Sequence, residues 1–590
     1  MEGPTPDKHK ANLWLASAVA ALAFHAFVQY IDILDLLVWH MLAIFAAVGV
    51  AIFYADVHLY HSAPAAAAKD LATSATSFAL SLAISMLVYR AFFHRLRRFP
   101  GPFAARLTRF WSVYKSSKDL QYHLVLEELH KKHGDVVRVG PRELSITRAS
   151  ALPQIAQCRK NVFYQQAGWD RTRVGMAETR DLDDHRLRRK PWEKGLSMNE
   201  VAKYDADMQA TITLFLDALA CDRGQRVNAT DMVAMLAYDL MGVVAFGKDF
   251  GSLSAERENP AIKGLRGSMR ALGVLFPVPW LINMMINLPG ADTAGAMGVF
   301  RAYCTGLVEE KRETLKTQSK TAGAADQPSP PPPRDVMSWL IRAFEAGGPT
   351  AAPSLRALHS DGQSLVIAGA YVLSLPPASL PPSNPPVPRR DTTYGTLTNA
   401  LYYLAANPHI YTALQAAIDA AVPGGDASFT HDAVKHVPLL DAIINETLRL
   451  KPPVPCGNPR LTPPEGLRID DDLYVPGNVH VWMPQWVVQR DERYFERPGE
   501  FLPERWIDAE GKAGMKGAFF PFWVGMYGCA GKQLAYWEMR SVLARLALRY
   551  NIRFASVQDG KDFEKSLLST WTLSPPPLGM CFRERKDRKV

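Results

Sequence analysis

Three apolar runs within the first ninety residues constrain this chain more than any other feature. They cover roughly residues 13–30, 36–55 and 71–89. Each is close to the ~20 residues that a membrane-spanning helix needs. His25 and His40 are their only strongly polar interruptions. Further apolar spans follow the first, which argues against a cleaved signal peptide. Arg90, His94, Arg95, Arg97 and Arg98 follow the third run directly, and a basic cluster marks the cytosolic end of a span. Three crossings would then put the N-terminus on the lumenal side. The Ala- and Ser-rich third run has an alternative, lying on the membrane or packing within protein. The expectation is a membrane anchor over 1–98 with up to three transmembrane helices, followed by a large body over 99–590.

That body is long enough to bury a large core. The chain carries a net charge of +9, which suits nucleic acid, a membrane surface or an acidic protein partner. No nucleic-acid module is recognisable. The six cysteines, at 158, 221, 304, 456, 529 and 581, lie far apart without a CxxC pair. This spacing argues against a disulfide scaffold or a zinc site and fits a reducing, cytosol-facing body.

The chemistry concentrates in Phe522-Trp523-Val524-Gly525-Met526-Tyr527-Gly528-Cys529-Ala530-Gly531-Lys532-Gln533-Leu534-Ala535. Glycines at 525, 528 and 531 let the backbone turn tightly and approach a flat object. The run leads into a helix expected from Leu534 to about Tyr550, and amides at a helix start favour a thiolate at Cys529. A thiolate held by backbone amides beside Phe522 suits the axial position of an iron porphyrin. A buried, inert cysteine is the commoner fate of a lone Cys, and here the F-x-x-G-x-x-x-C-x-G spacing decides against it.

That run closely resembles the haem-ligand loop of the cytochrome P-450 family of haem-thiolate monooxygenases. The resemblance implies a mostly α fold with small β-sheets, haem b (iron protoporphyrin IX) as cofactor, and Cys529 as the iron ligand. Phe522, Gly525 and Gly531 would shape its loop. The family usually has Arg two residues before the cysteine, pairing with a haem propionate; here Tyr527 stands there. The basic run His185-Arg186-Leu187-Arg188-Arg189-Lys190 begins a helix containing Trp192. In the family this helix crosses the haem edge, so His185 and Arg189 would hold a propionate. The remaining cations would face a docking flavoprotein reductase. Arg460 stands where the family has another propionate-binding Arg. Glu446 and Arg449 have helical ion-pair spacing. In the family such a pair is buried and, with the Arg of a P-E-R segment, here Arg505, locks the scaffold under the haem loop.

The central helix carries an interruption. Residues 360–370 and 391–406 both read as helix, and between them lie twenty residues, 371–390, seven of them proline. Proline removes a helix donor and clashes with the preceding turn, so no helix survives there. Without the segment, Ala368-Gly369-Ala370 joins Asp391-Thr392-Thr393. The join closely resembles the family's oxygen-activating A-G-x-D-T-T signature. Gly369 and Ala370 would leave room above the haem, and Asp391 and Thr392 would deliver protons. The expectation is that 371–390 is a translated intron. It spans a whole number of codons, and Ala370-Tyr371-Val372, Ser383-Asn384 and Arg389-Arg390 are compatible with a donor, a branch point and an acceptor. The competing reading is a true insertion looped out of the helix.

Elsewhere, Phe99-Pro100-Gly101-Pro102 reads as a stiff hinge. Residues 120–133 read as an amphipathic helix, 136–147 as a β-hairpin, 205–310 as helices, and 318–334 as a Pro-rich surface loop. Phe276 to Ile282 reads as a substrate entrance, a membrane contact or core. Residues 465–482 read as short strands, and 551–583 as strands with a cavity loop around 569–572. Asn228-Ala229-Thr230 is a sequon that a cytosolic body would leave unused.

The resemblance covers about residue 99 to the end and looks most like filamentous-fungal, membrane-bound members, many of which serve secondary metabolism. It implies a monooxygenase that hydroxylates or epoxidises an apolar small molecule, with electrons from NADPH through a separate flavoprotein. The expected location is the endoplasmic-reticulum membrane with the body in the cytosol. Two other readings stay open: a peroxide-rearranging or dehydratase-type enzyme of the same fold, and an inactive haem-binding membrane protein if 371–390 is retained.

Overall fold

The computed structural model describes residues 6–29, 31, 33–165, 170–221, 225–255, 271, 273–288, 295–324, 332–369, 392–507, 515 and 517–585. Ala370, Asp391 and the Pro-rich segment between them lie outside these, as do residues 325–331 of the expected 318–334 loop; the start of that stretch is not loop but continues the helix Gly295–Ala324.

The N-terminal runs form helices over Pro6–Val28, Val38–His58 and Pro64–Val88, the last ending in a π turn, Tyr89–Phe93. The second and third are long and apolar enough to cross a membrane, and almost none of their apolar windows is buried inside the protein. The apolar part of the first, Leu13–Val28, falls short of that length. It packs along the third helix, where a His25 ring nitrogen meets the Ser85 hydroxyl at 2.7 Å. A further helix, Ala229–Phe246, is also long and apolar enough, but 83% of its apolar window is buried inside the body. Hydropathy reports apolarity and not what covers it.

The N-terminal helices are tied to the body at Asp35. Arg109 donates to Asp35 at 2.8 Å and to Glu143 at 2.7 Å, and Arg142 donates to the Ile31 carbonyl at 3.3 Å. Trp39 donates to the Met284 carbonyl at 3.3 Å. Phe276 is buried against Tyr122, Trp482 and Trp571, so the apolar stretch at 276–282 sits between the N-terminal helices and an aromatic cluster of the body.

The body is mostly helical. Its largest core joins Ala229–Phe246 with the two halves of the central helix, Leu355–Gly369 and Thr392–Ala406, and with Pro438–Leu450 and Lys532–Arg549. The amphipathic helix begins at Tyr122, after Leu120 closes the preceding helix at φ +52°. The helix after the cysteine begins at Lys532 rather than Leu534, because Gly531 already accepts the Ala535 amide at 2.9 Å.

The main sheet has five strands in the order Val136–Gly140, Glu143–Ile146, His480–Trp482, Arg460–Leu461, Arg159–Lys160. Glu143–Ile146 runs parallel to His480–Trp482, and the other neighbours are antiparallel. At the hinge, Gly101 lies so close to the Arg138 carbonyl that a Cβ would clash with backbone. The Pro100 carbonyl accepts the Arg138 amide at 2.7 Å, fixing the hinge against the sheet. The sequon is part of the framework: Thr230 is buried and donates to the Pro576 carbonyl at 2.8 Å.

Candidate active site

Cys529 sits between a turn, Gly525–Tyr527, and the helix that begins at Lys532. Its amide donates to the Phe522 carbonyl at 2.8 Å, and the Gly528 amide to the Gly525 carbonyl at 2.9 Å. Gly525 has φ +69°, which a side chain rarely adopts. Gly531 lies beside the sulfur, since a Cβ there would stand 3.9 Å from Sγ. Phe522 is half-buried against Tyr536, whose hydroxyl donates to Asn445 at 2.6 Å and ties the loop to the helix below.

Cys529 is exposed. It opens on a surface within the protein that surrounding atoms shield from bulk water, and this desolvation pushes its thiol above the ordinary value, opposed by the Gly531 amide and by the Arg189 and Lys532 charges. The helix start alone therefore does not make the thiolate; a metal cation supplies the charge that deprotonates a coordinating thiol.

The basic helix, Leu182–Gly195, starts with Asp181 accepting two amides. Its period puts His185, Arg188 and Trp192 on one buried face. Arg189 donates to the carbonyls of Met526 at 3.2 Å and Gly528 at 2.6 Å, and to Glu193 at 2.7 Å. It thus clamps the cysteine loop. His185 is buried with its ring 4.8 Å from that of Tyr527, and its Nδ1 has no hydrogen-bond partner. Burial, then nearby cations led by Lys160, hold it neutral with a pKa of about 3. Arg460 is 2% exposed, lies 4.8 Å over the Tyr527 ring, and has a buried Nε without a partner.

Of the basic run, Arg186 and Lys190 face outward, whereas Arg188 does not. Arg188 is buried and donates to Asp361 at 3.1 Å and to the Val174 carbonyl at 3.0 Å. It joins this helix to the first half of the central helix. The outward-facing cations expected of the run are fewer than its sequence suggests, and the i, i+3, i+7 spacing of His185, Arg188 and Trp192 was the available signal.

Beneath the loop, Glu446 is fully buried and accepts from Arg449 Nε and Nη2 at 2.8 Å each and from Arg505 Nε at 3.2 Å. Trp506 Nε1 and the Leu502 amide, both at 2.9 Å, complete its shell. Arg449 also reaches the carbonyls of Gln489, Pro498 and Glu500. Trp506 and Leu502 were not singled out from sequence, because a backbone donor and an indole carry no spacing signal.

Gly369 ends one half of the central helix and Thr392 begins the other. Both halves pack on Ala229–Phe246 and meet each other. Thr392 is half-buried, and its carbonyl accepts the Thr396 hydroxyl at 2.7 Å. Nearby, the tip of the last hairpin, Trp571 at φ +89°, stacks on Phe163 with centroids 4.4 Å apart. This places the expected cavity loop against the aromatic cluster.

Comparison with known proteins agrees with this geometry. A sequence model of the cytochrome P-450 family matches residues 100–369 and 390–582. The chain belongs to the cytochrome P-450 family. It is 33% identical to cytochrome P-450 monooxygenase orf5 of Eupenicillium brefeldianum, over 86% of this chain and 96% of that one. It is 30% identical to cytochrome P-450 monooxygenase FCK2 of Fusarium pseudograminearum, over 96% and 97%. It is also 30% identical to tryprostatin B 6-hydroxylase of Aspergillus fumigatus, over 83% and 81%. A crystal structure of the cytochrome P-450DA haem domain superposes with a TM-score of 0.62 over 80% of this chain and 95% of that one, at 17% identity. The chain is thus a monooxygenase of the haem-thiolate class, whose members work with a redox partner on small molecules.

The residues present fit that cofactor. A cysteine stands on a glycine loop, and unpartnered polar atoms of His185 and Arg460 line the edge beside it.

Proposed function

We propose that this protein hydroxylates or epoxidises an apolar small molecule in fungal secondary metabolism, using haem b and electrons from an NADPH-dependent flavoprotein reductase. The observation that carries this reading is Cys529 on its loop, held by Arg189 from one side and by Tyr536 and Asn445 from below. The names of the fungal relatives support the reaction class. In this reading the Cys529 thiolate would hold the haem iron, Phe522, Gly525 and Gly531 would shape its surroundings, and His185 and Arg460 would hold the haem edge. Arg189 acts by fixing the loop. Glu446, Arg449 and Arg505 keep the scaffold rigid. Bound haem supplies the oxygen chemistry, and the protein orients substrate and excludes water. Thr392, with Asp391, would relay protons, and Gly369 and Ala370 would leave space for oxygen.

The working chain, in this reading, lacks residues 371–390. The family match stops at 369 and resumes at 390, and the flanking helices pack on the same partner helix. An anchor over 1–98 would hold the body on the cytosolic face of the endoplasmic reticulum, with Arg90, Arg95, Arg97 and Arg98 at that face.

The experiment is NADPH-dependent oxygen uptake by membranes carrying the protein and a reductase, with the membranes of the Cys529→Ser variant as control. Substrate-stimulated uptake that the variant lacks supports the reading. Consumption of an organic hydroperoxide with no need for NADPH would replace it with a rearranging enzyme.

A further inference from the structure

The edge strand Arg159–Lys160 pairs antiparallel with Arg460–Leu461, and the register sets Lys160 opposite Arg460. Like charges facing each other across a ladder destabilise a sheet. Both side chains are also buried, at 4% and 2% exposure, where a charge ordinarily needs a counter-ion. Among the described residues, neither has a carboxylate within ion-pair distance. Lys160 Nζ donates to the Ala177 carbonyl at 2.7 Å. Arg460 Nη1 donates to the Tyr164 hydroxyl at 3.2 Å and the Pro459 carbonyl at 3.0 Å. Glu178, the acid that Lys160 feels, is taken up by the Gly175 amide at 2.9 Å and the Ser360 hydroxyl at 2.7 Å.

The unbalanced charge converges on one ring. Lys160 Nζ lies 5.0 Å and the Arg460 guanidinium 4.8 Å from the centroid of Tyr527. The His185 ring stands 4.8 Å from the same ring. Arg460 Nε and His185 Nδ1 are buried there without partners. Burial, with the Arg460 charge next, drives the Lys160 amine well below its ordinary value, as expected of a cation still short of an anion.

We propose that Lys160 and Arg460 form a paired anion seat at the edge of the site, that a carboxylate of bound haem occupies it, and that Lys160 supplies the cation Tyr527 cannot. The seat rests on the haem reading above. One carboxylate would neutralise the cross-strand pair and give Arg460 Nε an acceptor. The cation beside the cysteine loop then comes from the sheet rather than from the loop itself.

The test is haem release from the chain lacking residues 371–390, N-terminal helices included and extracted from membranes, to excess apomyoglobin. Lys160→Gln keeps a donor for the Ala177 carbonyl and loses the charge; Lys160→Met stands in if that variant does not fold. Loss of a charge-assisted hydrogen bond should speed release about 10- to 100-fold. Lys160→Arg should hold haem as the unaltered chain does, and Tyr527→Arg should restore retention in the Lys160→Gln background. Reconstitution with haem dimethyl ester, whose carboxylates are masked, should erase the difference between the unaltered chain and the Lys160→Gln variant. Release unaffected by Lys160→Gln, or accelerated equally for the ester, overturns the seat while leaving the haem reading standing. A chain with Lys160 intact that takes up no haem overturns both.

Discussion

Glu446 concentrates the scaffold's dependence on a single side chain. Two arginines, an indole and a backbone amide all donate to one fully buried carboxylate. Glu446→Ala should leave Arg449 buried with only carbonyl acceptors and cost roughly 3–5 kcal/mol, read as a lower chemical-denaturation midpoint. A change under about 1 kcal/mol, the surface-pair range, would mean the cluster is not coupled as its geometry indicates. The pairing itself was legible in the sequence, because i, i+3 spacing puts Glu446 and Arg449 on one face. Lys160 was not legible. It lies 300 residues from Arg460 and meets it only through sheet register. Arg188 stood between these cases: helical period marks it as inward, but its partner Asp361 lies in another helix.

At the scale of elements, the central helix divides into Leu355–Gly369 and Thr392–Ala406, both packed on Ala229–Phe246. Most helices could be read from apolar period, and the hairpin at Val136–Ile146 from alternation around Gly140-Pro141. The burial of Ala229–Phe246 could not, since its composition also suits a membrane span. Reverse transcription of the message between the codons for Leu365 and Tyr402 should give a product 60 nucleotides shorter than the gene, the length of the twenty-residue segment. A full-length product alone would mean the segment is translated, and the proton roles of Asp391 and Thr392 would fall. Expressed side by side, the shorter chain should retain haem and the longer should retain less, because a break beside the site disturbs positioning.

Across the whole molecule, buried neutral histidines set the acid response. His123 and His185 are held to about 3 and His130 and His431 to about 4, burial being the largest cause in each. The unfolded chain protonates these groups near pH 6.5, so it binds more protons than the folded chain between that pH and about 4. Stability is therefore present above pH 6.5 and falls as pH drops, by about 1.4 kcal/mol per pH unit for each such histidine. Asp239 and Asp361, raised to about 6 by burial, act in the opposite sense below that pH, but the histidines outnumber them. The melting temperature should drop from pH 7 to pH 5; a flat profile would contradict the neutral, buried state of these rings.

The most direct test of the central claim, a haem-thiolate centre at Cys529, is the reduced, carbon monoxide-bound spectrum of the purified chain lacking residues 371–390. A Soret band at about 450 nm, lost in Cys529→Ser, is the predicted result for thiolate ligation. A band at about 420 nm in the unsubstituted chain, or no haem at all, would contradict it.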